Sequence, residues 1–296
     1  MKIVQSFWTK PFLHSGNHTD QRLNGGWPER KYNYFSWMLS CLRLKEHYPC
    51  VELVTDSLGA DILIGRLQLP YTQVSTSLDA LGHQPANLWA LGKIHAYRRQ
   101  TSAFLHVDSD IFIRNPFDAT IENAGLVAQN HELSTDGYME GFSFILKHFS
   151  YIPPYLKKYG RLRYIPCTNV GIIGGRDIAF MQAYTAEVLD FLDRNAASIA
   201  RYNMSVSVLN IFFEQVIFHS LAQERQTNIS YLFNDCSNTP TGIAYLHEAH
   251  RNKGFAHAYS GFKNRWIVYS AVERELKEAY PREYHRAVHL MDTLEL

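Results

Sequence analysis

Apolar and polar positions along this chain alternate between short apolar runs and longer helical stretches, as strands alternating with helices do. Lys2–Thr9 is rich in β-formers and predicts a first strand. Pro11 to Pro28 follows as a long polar loop holding His14, Gly16, Asn17, His18, Gly25 and Gly26, and long loops in compact domains often carry function. Tyr32–Lys45 predicts an apolar helix and Val51–Asp56 a second strand that ends with Asp56 in a surface turn. A strand–helix–strand opening predicts a parallel sheet with a right-handed crossover. Ala60–Leu69 and the LPYTQV around it predict a short helix or turn and a short strand. Pro85–Tyr97 predicts a helix with proline in its first turn.

The same pattern continues through the second half. Ala103–Val107 and Ile111–Ile113 are apolar runs separated by three polar residues, and Gly125–Asn130 reads as another strand. His131–Gly141 reads as a polar loop in which Asp136, Tyr138 and Glu140 could touch a ligand, although loop composition explains them equally well. Val170–Ile173 is an apolar strand framed by Asn169, Gly174 and Gly175, with Gly171 inside it; glycine in a strand marks close approach of a ligand or another backbone. Asp177 is placed to cap a helix over Ile178–Asn195, whose Phe180, Tyr184, Val188 and Leu192 repeat every four residues. Val206–Leu221 is apolar around most of a helical circumference and predicts a buried helix. Ser270 to Glu273 has the spacing of a capping box opening a C-terminal helix, which Pro281 breaks or restarts.

Composition narrows the class. With 46% hydrophobic and 19% charged residues over 296 positions, the chain can bury a large core. A formal net charge of +1 gives no electrostatic footprint for nucleic acid. The four cysteines, Cys41, Cys50, Cys167 and Cys236, lack metal-type spacing and read as reduced thiols, which favours the cytoplasm. The N-terminal residues hold no apolar core of signal-peptide length, and no run reaches the ~18 apolar residues of a transmembrane helix. That leaves room for peripheral contact with the inner face of a membrane.

Two stretches carry candidate chemistry on physical grounds. In AFLHVDSDIFIRNPF, Asp108 and Asp110 interrupt an apolar run where a buried strand would end. Unpaired carboxylates there are expensive, and metal coordination is one of the few ways to hold them. Ligands collect at the carboxyl ends of strands in open α/β sheets, and Mg²⁺ and Mn²⁺ sites use one or two protein carboxylates, completing the shell with substrate phosphates. Read without a metal, the same acids cap a turn. In Val206–Leu221, Asn210 and Glu214 share a face of a helix that should be buried, so the carboxylate reaches either a partner or a cavity. The basic aromatic stretch KKYGRLRY reads as a solvated surface.

LHVDSDIFIRNP resembles the Asp-x-Asp strand of nucleotide-sugar glycosyltransferases with the GT-A fold, in particular the retaining enzymes grouped with glycogenin and the bacterial lipooligosaccharide galactosyltransferases. Three further stretches extend the resemblance over residues 1–270. Asn169 and Gly171 match an Asn-x-Gly strand that lines the donor-sugar and acceptor pocket, with Val170 where a small residue is usual. Glu214-Gln215 matches an acid–Gln pair beside the donor sugar, with Glu in place of Asp, and the resemblance implies Glu214 or Gln215 as the catalytic group near the anomeric carbon. His257 and Lys263 keep the offset of a late His-x-x-Gly-x-x-Lys segment, with the glycine displaced by one to Gly261. The resemblance implies Asp108, Asp110 and His257 as ligands of Mn²⁺ (or Mg²⁺), Ser109 within the donor-binding motif, and Lys263 at the diphosphate. It implies Lys93, on the helix before the Asp-x-Asp strand, as a donor-facing base; read alone, Lys93 is a solvated helix lysine.

The expected fold is therefore α/β, a single GT-A (Rossmann-like) domain over residues 1–269 with a mixed, mostly parallel central sheet flanked by helices, and a helical tail over 270–296. The expected activity is transfer of a hexosyl group from a UDP-sugar to a carbohydrate, lipid or protein acceptor, with retention. Two alternatives stay open. One is a catalytically inactive nucleotide- or sugar-binding relative. The other is an Asp-nucleophile phosphohydrolase of the haloacid dehalogenase type, disfavoured because the motif lies late in the chain and Phe112 stands where Thr or Val is usual.

Overall fold

The structure, a computed structural model, describes residues 1–14, 24–133, 136–202, 205–233 and 242–293. Gly16, Asn17, His18 and Cys236 lie outside them. Nine strands occur among the described residues: β1 (Lys2–Phe7), β2 (Val51–Thr55), β3 (Gln73–Ser75), β4 (Phe104–Val107), β5 (Ile111–Ile113), β6 (Leu126–Leu133), β7 (Pro166–Gly175), β8 (Ile229–Phe233) and β9 (Phe255–His257). Seven form one sheet in the order β3-β2-β1-β4-β7-β6-β8. The β1/β2, β2/β3 and β6/β8 pairs are parallel and β6/β7 is antiparallel. The expected mixed α/β sheet flanked by helices is present. β5 and β9 form a separate antiparallel ribbon.

The chain divides into two compact units. The first comprises Met1–Asn87, His106–Phe117 and Pro240–Leu296. Its core is built on the helix Arg30–His47, whose Phe35, Trp37, Met38, Leu39 and Cys41 are buried. The helix Trp266–Ala279 packs on it through Val268, Val272 and Leu276, an apolar residue every fourth position. Gln5 of β1 is fully buried and fully engaged, donating to Ser40 Oγ and to the Val107 carbonyl and accepting from Tyr71 Oη.

Three expectations are corrected in this unit. The last long helix starts at Trp266, four residues before the expected box: Ser270 lies inside it and donates from Oγ to the Trp266 carbonyl, a back-bond within the helix. Asp56 is buried rather than in a surface turn. It caps the short helix Ser57–Ala60, accepting from Gly59 N, and its other oxygen accepts from the Thr9 amide and hydroxyl. The stretch after β1 begins with a helical turn, Lys10–His14, rather than loop.

The second unit comprises Leu88–Leu105 and Asp118–Thr239. Here the helix expected from Pro85 begins only at Leu91, and the amide of Ala90 just before it donates to the Asn210 side chain from far along the chain. Within the polar stretch His131–Gly141, the described residues are strand and helix rather than loop. β6 runs through to Leu133 in register with Thr168, Cys167 and Pro166 of β7, and Asp136–His148 is a helix; pairing overrides composition there. β7 is longer than its apolar centre. Gly174 and Gly175 have φ of 146° and 127°, and a Cβ on either would lie 2.2 Å from the Phe104 carbonyl or 2.1 Å from that of Gly125. The close approach these glycines allow is therefore of backbone to backbone. Asp177 caps Ile178–Arg194 as expected, accepting from Phe180 N at 2.9 Å. The Val206 stretch is helical as far as Glu224, with a π-helical turn at Phe212–Val216.

Candidate functional site

The local sequence explains how the first unit gathers its acids. β4 ends at Val107, and the chain turns at once, with Ile111 N donating to the Asp108 carbonyl at 3.1 Å. Ser36 Oγ, on the central helix, donates to the Ser109 carbonyl at 2.8 Å and holds the turn. β5 then pairs with β9 in a register that sets Ile111 opposite His257, and Ala258 N donates to the Asp110 carbonyl. Two strands of three residues each thus carry His257 to the second aspartate.

The side chains converge accordingly. Asp108, Asp110 and His257 each offer one ligand atom, all within 4.8 Å of one another. His257 Nε2 lies 3.4 Å from Asp110 Oδ1, and Lys263 Nζ lies 2.8 Å from Asp110 Oδ2. Lys263 also donates to the Gly25 carbonyl at 3.0 Å and stands over the Trp27 ring, so the Gly25–Trp27 turn closes one side of the cluster. Burial alone would raise the Asp110 pKa; Lys263 and His257 outweigh it and hold the carboxyl well below the usual carboxylate range. Asp110 Oδ1 is buried and accepts no hydrogen bond from the described residues. A charged oxygen with spare acceptor capacity, beside a second carboxylate and an imidazole, fits a divalent cation of the Mn²⁺ or Mg²⁺ kind.

His106 has no place in the sequence reading, yet it borders this cluster. Its Nε2 shares a hydrogen bond with Ser6 Oγ at 2.9 Å, and its Nδ1 lies 3.6 Å from Asp108 Oδ1. The signal was the strand period: residues two apart on β4 and its end share a face.

The other candidates lie in the second unit. Lys93 is not a solvated lysine; its Nζ is 3.1 Å from Glu214 Oε1. Glu214 is 1% exposed, Tyr97 Oη donates to the same oxygen at 3.4 Å, and Tyr184 Oη donates to the Glu214 carbonyl at 2.7 Å. Gln215 beside it is half-buried. The buried helix therefore carries its carboxylate toward a partner. Asn169 accepts from Gly171 N at 3.0 Å through Oδ1 and donates through Nδ2 to Glu132 at 3.1 Å. The strand register sets Asn169 and Glu132 on one face of β6 and β7, and Thr168 and His131 on the other. On that second face Thr168 Oγ1 bonds His219 Nδ1 and Tyr231 Oη at 3.0 and 3.3 Å, and the His131 and His219 rings lie 4.9 Å apart. Burial, then His131 and Lys158, push the His219 pKa down to about 4.

No helix among the described residues is long and apolar enough to cross a membrane. No curated protein matches the sequence. Among solved structures, the galactosyltransferase LgtC in complex with donor and acceptor sugar analogues aligns over 97% of this chain and 100% of its own, with 14% identity and a TM-score of 0.46. A family description matches residues 1–290, and the chain belongs to that family of unknown function, DUF6734.

Proposed function

We propose that this protein is a metal-dependent glycosyltransferase that moves a sugar from a UDP-sugar to an acceptor, with retention at the anomeric carbon. One observation carries the proposal. Asp108 and Asp110, His257 and Lys263 were singled out by motif spacing in stretches some 150 residues apart, and they meet in one cluster. In this reading Asp108, Asp110 and His257 hold a divalent cation, which supplies Lewis-acid stabilisation of the diphosphate leaving group. Lys263 adds a positive charge to the same diphosphate. By the resemblance Glu214 and Gln215 are the candidate catalytic pair and Lys93 a donor-binding candidate; within the second unit Glu214 holds Lys93 through their ion pair, and Gln215 is the more exposed of the two. Asn169 and Gly171 line the sugar-binding surface, with the Asn169 amide set by Glu132.

The test is calorimetry of UDP with and without Mn²⁺, on the wild type and on Asp110→Ala. Binding that requires Mn²⁺ and disappears in Asp110→Ala supports the donor site and opens a screen of UDP-sugars for turnover. Absence of UDP binding under every metal tried sinks the proposal.

A further inference from the structure

The acids of this chain are unevenly spread. Between Gly141 and Arg176 there is no Asp or Glu, while Lys147, Lys157, Lys158, Arg161, Arg163 and Arg176 all fall there, in a chain whose net charge is only +1. The centre of this interval is the 3-10 element Pro154–Arg161, which packs against the helix Ile217–Glu224 in the second unit. Lys157, Lys158 and Arg163 are exposed, and none has an acidic partner among the described residues. Lys158 lies over the Tyr159 ring and Arg163 over the Tyr164 ring. The charge of Lys158 is also felt at His219, whose hydrogen bond to Thr168 connects it to Tyr231 and whose ring faces His131.

Exposed cations left without counter-charges attract anions, and screening by salt limits the attraction to short range. Tyr159, Thr168 and His219 are buried, so the rings open to the face of a sugar are the half-buried Tyr164, His131 and Tyr231. A lipid surface fits less well, because the segment exposes a single large apolar side chain, Leu162.

We infer that the basic edge formed by Lys157, Lys158 and Arg163 binds an anionic glycan, and that the acceptor of the transferase is a glycan bearing phosphate or carboxylate groups. The second clause rests on the transferase reading; the first does not.

The experiment measures binding of two charged probes, a short oligogalacturonate and a phosphomannan oligosaccharide, against a neutral maltooligosaccharide of equal length. Three proteins are compared: the wild type, the triple variant Lys157→Ala/Lys158→Ala/Arg163→Ala, and a control of equal charge loss, Arg274→Ala/Lys277→Ala/Arg282→Ala, on the C-terminal helices. All six positions are exposed, and thermal melts check the fold. Expected is salt-sensitive binding of at least one charged probe and none of the neutral one, weakened about tenfold in the first triple variant and unchanged in the control. Equal weakening in both variants, failure of both charged probes, or cluster-dependent binding only to phosphatidylserine vesicles overturns the inference. UDP titration with Mn²⁺ on the same three proteins separates the two claims. Normal UDP binding with no glycan binding defeats only this inference. Cluster-dependent glycan binding without UDP binding upholds the anionic site, defeats the transferase reading and removes the acceptor assignment with it.

Discussion

Two of the lysine–carboxylate pairs among the described residues, Lys93–Glu214 and Lys263–Asp110, lie one in each unit and differ in what surrounds them. In the second unit Glu214 is almost sealed from solvent, and Lys93 and Tyr97 converge on one of its oxygens. In the first, Asp110 meets Lys263 with one oxygen, while the other is buried, accepts no hydrogen bond from the described residues and lies near an imidazole and a second carboxylate. The separations are similar, 3.1 and 2.8 Å. The difference is surplus: the Glu214 pair is a tie within the fold, whereas the Asp110 pair leaves acceptor capacity that a cation can use. Burial of a carboxylate is thus a poor guide to its role until its remaining acceptors are counted.

Breaking the sealed pair should have the largest effect on stability. Glu214→Ala strands Lys93 in a mostly buried place and should cost about 3–5 kcal/mol, read as a lowered denaturation midpoint. Glu214→Gln, which keeps an acceptor for Tyr97, should lose less. If Glu214→Ala melts like the wild type, the pair is not the tie described. Asp110→Ala should behave in the opposite way. Lys263 keeps the Gly25 carbonyl as a partner, so the melt should move less than for Glu214→Ala, while Mn²⁺-dependent UDP binding should fall by more than the roughly 10–100-fold typical of losing an outer-shell partner. A melt that moves as far as that of Glu214→Ala would erase the contrast.

A third test concerns acid sensitivity in the second unit. His219 has a folded pKa of about 4, below its ordinary value of 6.5. The unfolded chain therefore takes up the proton first as pH falls. The contribution of neutral His219 is intact above about 6.5 and is lost progressively between there and about 4, on the order of 3 kcal/mol in all. His219→Asn should flatten the drop in melting temperature between pH 7.5 and 5; an unchanged drop would assign it to other groups. The smallest effect is expected at Ser270. Replacing it with Ala removes a back-bond inside a helix and should leave stability unchanged or raise it by about 0.5 kcal/mol.

Much of this was legible in the sequence, for local reasons. Strand β4 and its terminal acids announce themselves because apolar residues rarely run into two carboxylates without cause. His257 and Lys263 could be found because their offset resembles that of a late segment of the GT-A transferases. What brings them to Asp110 could not be read, because β5 and β9 are three residues each and lie far apart in the chain. The Lys93–Glu214 pair was hidden for the same reason, and Lys93 in isolation looks like any helix lysine. Errors clustered where tertiary partners set the boundaries. Asn210 accepts from the amide just before a helix start at Leu91, strand pairing drew His131 to Leu133 out of a supposed loop, and Thr9 pulled Asp56 inside. The box at Ser270 failed because its spacing also occurs by chance within a continuous helix.

The π-helical turn at Phe212–Val216 has a consequence for how this family can change. A π turn carries an additional residue relative to an α turn, so it advances the phase of everything after it. Glu214 lies within that turn, and His219 follows in the helix Ile217–Glu224. Deleting one residue there would restore regular winding and swing the later helix by about 100°, taking His219 off Thr168 while leaving Asn210 on Ala90. Point substitutions in this segment can be graded, but changes of its length act as a frameshift in three dimensions, and relatives that keep both contacts should keep the number of residues between them.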